Sequence, residues 1–245
     1  EWKSLKIKKI QKMTKESVSS HLLELRARLL KFIILFGILV VIGIPFASEI
    51  YSFVAAPLIS LLPDESTMIA TEVASPFMAP FKLVIYVALL LSMPWLFYQT
   101  WMFISPGLYE NEKKFTAPLM LSTIILFFSG ASFAFFIVCP IIFKFFIGMA
   151  PDSIQVMTDI SQYLSFIFKL VFAFGIAFEI PIGTILLVNS SITSKASLVK
   201  ARPYIIVLFL VIGMLLTPPD VFSQLFLAIP MWALFEIGIL FSKEK

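Results

Sequence analysis

Apolar residues gather into six long runs separated by short polar breaks. They are Phe32–Ala47 (extended backwards by Leu29 and Leu30), Phe77–Ile104, Phe115–Gly148, Tyr163–Val188, Tyr204–Thr217 and Val221–Phe241. About 20 apolar residues wound as a helix cross the hydrocarbon of a bilayer, so each run predicts a transmembrane helix. The third could reach roughly 50 Å at about 1.5 Å per residue and must tilt or project into water. The fifth would reach only about 21 Å and would thin the membrane around it. Between the first two runs, IYSFVAAPLISLLP is too short and too Pro-interrupted to cross, and is expected to lie at the interface. The pattern predicts an all-α integral membrane protein with six transmembrane helices. Residues 20–241 form its membrane domain, between a basic tail of residues 1–19 and a short tail of residues 242–245. A hairpin formed by the last two runs is the alternative to six full spans.

Composition agrees. Of 245 residues 60% are hydrophobic, 27 are Phe and only 14% are charged, whereas a soluble domain carries nearer a quarter charged. Charge then orients the helices. With six spans, the two tails and the even-numbered loops share one side, which holds 16 of the 19 Lys and Arg. The opposite loops hold Glu49, Asp64, Glu65, Glu72, Asp152, Asp159 and Asp220 and no cation. This bias predicts that both termini are cytoplasmic. The remaining cations, Lys82, Lys144 and Lys169, fall near the ends of apolar runs and are read as ammonium groups reaching toward headgroups. No cleavable signal peptide is expected ahead of the first run. The leading EWKSLKIKKIQKMTK is read first as a solvated tail, with contact to anionic lipid as the second reading.

Chemistry of the enzymatic kind is not expected. His21 is the lone histidine and Cys139 the lone cysteine, so no metal site, cofactor site or nucleophile–base pair can be assembled from them. Cys139 reads as a small buried hydrophobe.

A few polar residues in oil stand out instead. Glu179 sits inside FKLVFAFGIAFEIPIGTILLV, about 14 Å from the end of its run at Val188. A charged group at that depth costs at least ~2.5 kcal/mol on insertion scales and normally faces a bundle interior or a wet cavity. Pro181, two residues on, frees a backbone carbonyl and predicts a kink. Glu179 is either a clamp between this chain's own helices or a contact offered to another molecule. The second is favoured because apolar runs supply few internal partners. In TPPDVFSQ, Asp220 is placed to cap the sixth helix, and Gln224 one turn later needs a partner across a helix interface. On the cytoplasmic side, Glu24 and Arg28 in SHLLELRARLLK form an i,i+4 pair. Glu110 and Glu112 in SPGLYENEKKF stand among cations and, by composition alone, read as solvated.

Taken together, SHLLELRARLL, MIATEVASPF, FISPGLYENEKK, FGIAFEIPI, GMLLTPPDVFSQ and AIPMWALFEIGI resemble the TatC family. That family is the signal-receptor subunit of the twin-arginine protein export system. The likeness runs from about Ser20 to Lys243 and leaves the first nineteen residues aside. It implies six helices in a concave, glove-like shell in the bacterial cytoplasmic (inner) membrane. It implies that Glu24, Arg26, Phe103 and Glu112 form a patch that binds twin-arginine signal peptides of folded cargo. It further implies that Glu179 and Gln224 dock single-span Tat subunits of the TatA and TatB type, within a larger complex in which the protein self-associates. No nucleic-acid partner is expected. The assignment is physically sensible, because a guanidinium is a planar fork that a carboxylate grips bidentately whereas lysine is a hydrated point charge. Without a GxxxxGK[ST] loop, transport is expected to draw on the proton gradient.

A proton-coupled secondary transporter of a small solute is the rival reading, since it too needs a midplane acid and Pro-broken helices. Against it, no repeat relates residues 30–110 to 120–200, and few polar residues converge in the spans.

Overall fold

A computed structural model describes residues 2–59, 68–104, 116–149, 157–190, 192–217 and 220–242. Most of these residues are helical, and among them there is no β-strand, only an isolated bridge between Ile69 and Asp159. Helix α1 spans Trp2–Gly43, so the basic leader continues into the first span without a break. A 3-10 turn at Ile44–Phe46, carrying Pro45, bends the chain into α2, Ala47–Ile59. There follow α3, Ser75–Ile104, and α4, Thr116–Phe133, which passes through a π-turn at Ala134–Val138 into α5, Cys139–Gly148. The next crossing is α6, Ile160–Ala177, and α7, Ile180–Asn189; the last two are α8, Lys195–Leu216, and α9, Val221–Phe241. Six stretches are long and apolar enough to cross a membrane: 23–57, 75–103, 117–148, 160–189, 195–216 and 221–241.

Prolines account for the interruptions. Pro140 opens α5 and supplies no N–H to the helical ladder, and the π-turn precedes it. Pro181 opens α7 and breaks the fourth crossing at Phe178–Glu179, where Glu179 N bonds back only to Ile176 O at 3.0 Å. The fifth crossing departs from its sequence expectation. It is a 22-residue helix starting at Lys195, not a fourteen-residue one starting at Tyr204, so no thinning is needed. Its first turns carry Lys195, Lys200 and Arg202, which a hydropathy reading assigns to a loop. Ser194 caps it by accepting from Ser197 N at 3.1 Å.

Packing makes an open layer. Helix α1 lies mainly on α3, α3 on α6 and α4, α9 on α7, and α8 on α9. Tyr163, Phe127, Phe174, Leu164 and Leu170 fill the centre where α4 and α6 meet. Close approach there depends on small residues, as usual between membrane helices. A Cβ on Gly130 would sit 2.5 Å from the Phe174 carbonyl oxygen. Outward side chains such as Val41, Leu215 and Leu240 are exposed, as apolar groups on the outer face of membrane-crossing helices would be. An open apolar groove of about 580 Å3 runs between α2, α3, the π-turn and α6.

At the end of the bundle opposite the N-terminal leader, residues 68–71 are pinned to the start of α6. Ile69 N and O bond Thr158 O and Ile160 N at 3.1 and 3.0 Å. Asp159 caps α6 by accepting from Gln162 N at 2.9 Å, and its other oxygen accepts from Thr71 N and Thr71 Oγ1 at 3.0 and 2.7 Å. The bond from the Thr71 hydroxyl, then those from the backbone N–H groups, hold this carboxyl down at about 2, below its usual 3.8. A depressed carboxyl contributes stability above its unfolded value and loses it as pH falls toward the folded one. Thermal stability is therefore expected to drop modestly between about pH 4 and pH 2, and Asp159→Asn to flatten that part of the profile. The effect should shrink with salt because the group is exposed. An unchanged slope in the variant contradicts this role.

Candidate functional site

Glu24 and Arg28 are one turn apart on α1, on the face that meets the end of α3. Arg28 Nε and Nη2 both donate to Glu24 Oε1, at 3.0 and 2.5 Å. The rest of the fork reaches α3: Nη1 donates to Gln99 Oε1 at 3.1 Å and Nη2 to Met102 O at 3.4 Å. Arg28 thus ties the two helices together while orienting the acid. Both bonds fall on one carboxylate oxygen, so Glu24 Oε2 has no partner among the described residues. With its side chain 40% exposed, Glu24 can accept a further donor from outside. A shallow cavity of about 390 Å3 opens beside it, walled by Lys31, Trp95, Tyr98 and Met102. On the other side of Arg28, Phe103 lines a small recess with Leu25 and Leu29.

The structure therefore brings Glu24 and Phe103 to the same α1–α3 junction. Arg26 is exposed and lies about 200° around α1 from Glu24, on a different face. Glu112 lies outside the described residues, eight positions beyond the end of α3. Sequence reasoning missed Gln99. Its signal was an amide in the apolar stretch FYQTWMF, the same signal that marks Gln224.

Glu179 stands at the break between α6 and α7, where it is the N-cap residue of α7 without capping it through its side chain. Thr123 on α4 interacts with its carboxyl group, and Trp101 Nε1 donates to the same Thr123 hydroxyl at 3.3 Å. Glu179 Oε1 is buried with no partner among the described residues.

The scarcity of internal polar neighbours expected at this depth is not what is found. Helix α9 packs on α7 with Gly238 against Pro181 and Thr184, where a Cβ would lie 2.9 Å from Pro181 Cα. Glu236 and Glu179 each precede those contact points by two residues, which puts both acids at a similar level. Glu236 Oε2 accepts from Arg202 Nη2 of α8 at 2.7 Å. Glu236 Oε1 and Arg202 Nε are buried without a partner among the described residues. The apolar pattern hid this pair because its two charges lie 34 residues apart on separate helices.

Gln224, expected to face a partner helix, directs its amide donor inward: Nε2 donates to Leu210 O of α8 at 2.7 Å. Gly213 makes room for it, since a Cβ there would lie 3.2 Å from Gln224 Cγ. Asp220 is the N-cap of α9, its Oδ1 accepting from Ser223 N at 2.7 Å. Gln224 is twelve residues above Glu236, about 18 Å along α9, so Gln224 and Glu179 belong to two separate places.

This arrangement can be set against known proteins. The family model for the Sec-independent protein translocase protein (TatC) matches residues 20–230. The chain belongs to the TatC family. It is 52% identical to the TatC of Azotobacter chroococcum mcd 1 over 222 residues, 91% of this chain and 87% of that one. It is also 52% identical to the TatC of Escherichia coli (strain K12) over 224 residues, with the same coverage. A solved structure described as Twin Arginine Translocase Receptor- TatC superposes with a TM-score of 0.81 at 39% identity, covering 90% of this chain and 96% of that one. A second, in DDM, gives 0.82 at 36% identity, covering 91% and 99%. The chain is accordingly a subunit of a Sec-independent protein translocase, a multi-pass protein of the bacterial inner membrane, from a family of transport subunits rather than of enzymes. The small-solute carrier is not favoured. The TatC match includes Glu24, Glu112, Glu179 and Gln224 and stops short of Glu236.

Proposed function

We propose that this protein is the receptor and core organiser of twin-arginine translocation, with both termini in the cytoplasm. Twin-arginine signal peptides of folded cargo dock at the α1–α3 junction, where Glu24 grips one guanidinium and Glu112 the other. Phe103 contributes an apolar contact beside Arg28, and Arg26 helps to hold the loop or peptide from the outer face of α1. The observation that carries this reading is the oriented, half-committed carboxylate of Glu24, whose Oε2 is left for an incoming donor. A fork that bonds that oxygen would be worth ~1–3 kcal/mol at a wet surface.

Glu179 is then a docking point for a polar group on a single-span subunit of the TatA or TatB type. What supports it is the pair of buried oxygens at one level, Glu179 Oε1 and Glu236 Oε1, that lack partners among the described residues. Gln224 would offer its side-chain oxygen at a second contact nearer the other end of α9. Copies of the chain assemble with these subunits, and the proton gradient drives passage. The chain divides as a leader of residues 1–19, a membrane domain of 20–241 and a tail of 242–245.

Crosslinking separates the two sites. A photoreactive group placed beside the arginine pair of a signal peptide is expected to label the α1–α3 junction. Glu179→Ala should leave that labelling intact and cut crosslinks to a single-span partner several-fold. Labelling that maps instead to the Asp159 end, or is lost in Glu179→Ala while partner crosslinks persist, contradicts the assignment.

A further inference from the structure

Lys82 and Lys169, which the receptor reading leaves unused, line one polar cavity of about 390 Å3 at the Asp159 end of the bundle. Lys82 lies seven residues into α3, about 10 Å below its start, and Lys169 nine residues into α6, about 14 Å below its start. Lys82 Nζ donates to Ser165 Oγ at 2.8 Å, and that hydroxyl donates onward to Ser161 O at 2.7 Å. Two ammonium hydrogens of Lys82 remain, and Lys169 has no hydrogen bond or ion pair among the described residues. Ammonium groups at this depth normally face a polar cavity and pair with polar groups there. Lys82 Nζ also lies 5.8 Å from the Tyr86 ring centroid. Both cations are left able to take an anionic group that enters the cavity.

The rim of the same cavity is acidic. Glu72 and Asp159 line its mouth together with Thr71. Asp159 is committed to Thr71 and Gln162, whereas Glu72 is exposed and unpartnered among the described residues. Charge is therefore layered, with cations toward the hydrocarbon and anions toward water. A purely anionic ligand would be attracted by the lysines but repelled at the rim. A zwitterion carrying its negative charge inward and its positive charge outward matches both layers. Phospholipids with a phosphoethanolamine headgroup have that order, and their primary ammonium has N–H donors for the carboxylates. A quaternary choline has none. Phe166 and Leu216 border the cavity and offer apolar surface for the upper part of an acyl chain.

We propose that this cavity is a binding site for an aminophospholipid headgroup, its phosphate held by Lys82 and Lys169 and its ammonium by Glu72 at the rim. The site holds a lipid against α3 and α6 at the end of the bundle away from the α1–α3 junction. It is independent of the peptide-binding reading.

The test is native mass spectrometry of the full chain in detergent, with phosphatidylethanolamine, phosphatidylcholine and phosphatidylglycerol of identical acyl chains. Phosphatidylethanolamine is expected to be retained about tenfold more than either of the others. Lys82→Gln with Lys169→Gln should bring it down to the phosphatidylcholine level, and Lys82→Arg with Lys169→Arg should keep it. Glu72→Gln lies on the exposed rim, away from the packed core, and should shift preference from phosphatidylethanolamine toward phosphatidylglycerol. Equal retention of the three lipids overturns the proposal. So does a double Gln variant that folds and binds like the parent, or a Glu72→Gln variant with unchanged selectivity.

Discussion

Glu24→Gln and Glu112→Gln are each expected to weaken binding of a twin-arginine peptide about tenfold, and together by about a hundredfold. Each change replaces a charge-assisted grip by a neutral one, and a tenfold loss corresponds to about 1.4 kcal/mol. Glu24→Gln should not unfold the junction, because Arg28 keeps Gln99 Oε1 and Met102 O as acceptors on α3. Fluorescence anisotropy of a labelled peptide against the protein in detergent measures both. Melting temperature, read in parallel, should hardly move for Glu24→Gln. A double variant that still binds at parental affinity contradicts a two-acid grip.

Gly238→Val is expected to have the largest effect on stability. Its Cβ would overlap the Thr184 side chain and lie 2.9 Å from Pro181 Cα, so the clash is with backbone that cannot rotate away. Thr184 is fixed as well, its hydroxyl donating to Pro181 O at 2.8 Å. Separating α7 from α9 would loosen the level at which Glu179 and the Arg202–Glu236 pair sit. Overpacking of this kind costs about 1–3 kcal/mol and sometimes more, a large share of a typical folding free energy. Gly37→Ala is the control, because nothing stands within 4 Å of a Cβ there and alanine favours the helix. Thermal unfolding in detergent should show a drop of many degrees for Gly238→Val and none for Gly37→Ala. Similar curves for the two variants would mean that α7 and α9 do not pack in close contact at Gly238.

Much of the fold was legible because oil imposes a simple rule on sequence. Spans had to be long apolar runs, and Val221–Phe241 appears as a helix with those same bounds. Pro181 announced the break beside Glu179 for the same reason: a missing N–H is written in the residue itself. The start of helix α8 is not legible from hydropathy, because Lys195 to Arg202 are polar yet helical. Their extent is set by Ser194 as a cap and by Glu236 as a partner, neither of which hydropathy registers. The site was legible where spacing is local. Glu24 and Arg28 are one turn apart, and their pairing follows from helix geometry. Gln99 joins them from 71 positions away. Glu236 likewise meets Arg202 through the folded arrangement of α8 and α9. Gln224 looked like a group seeking a partner, and it has one within this chain.

The most direct measurement compares one signal peptide carrying Arg-Arg with its Lys-Lys counterpart, titrated against the intact protein at fixed ionic strength. Carboxylate forks that read guanidinium geometry predict binding at least tenfold tighter for Arg-Arg. Equal affinities would mean that the protein senses charge alone, and its role as a receptor for paired arginines would be contradicted.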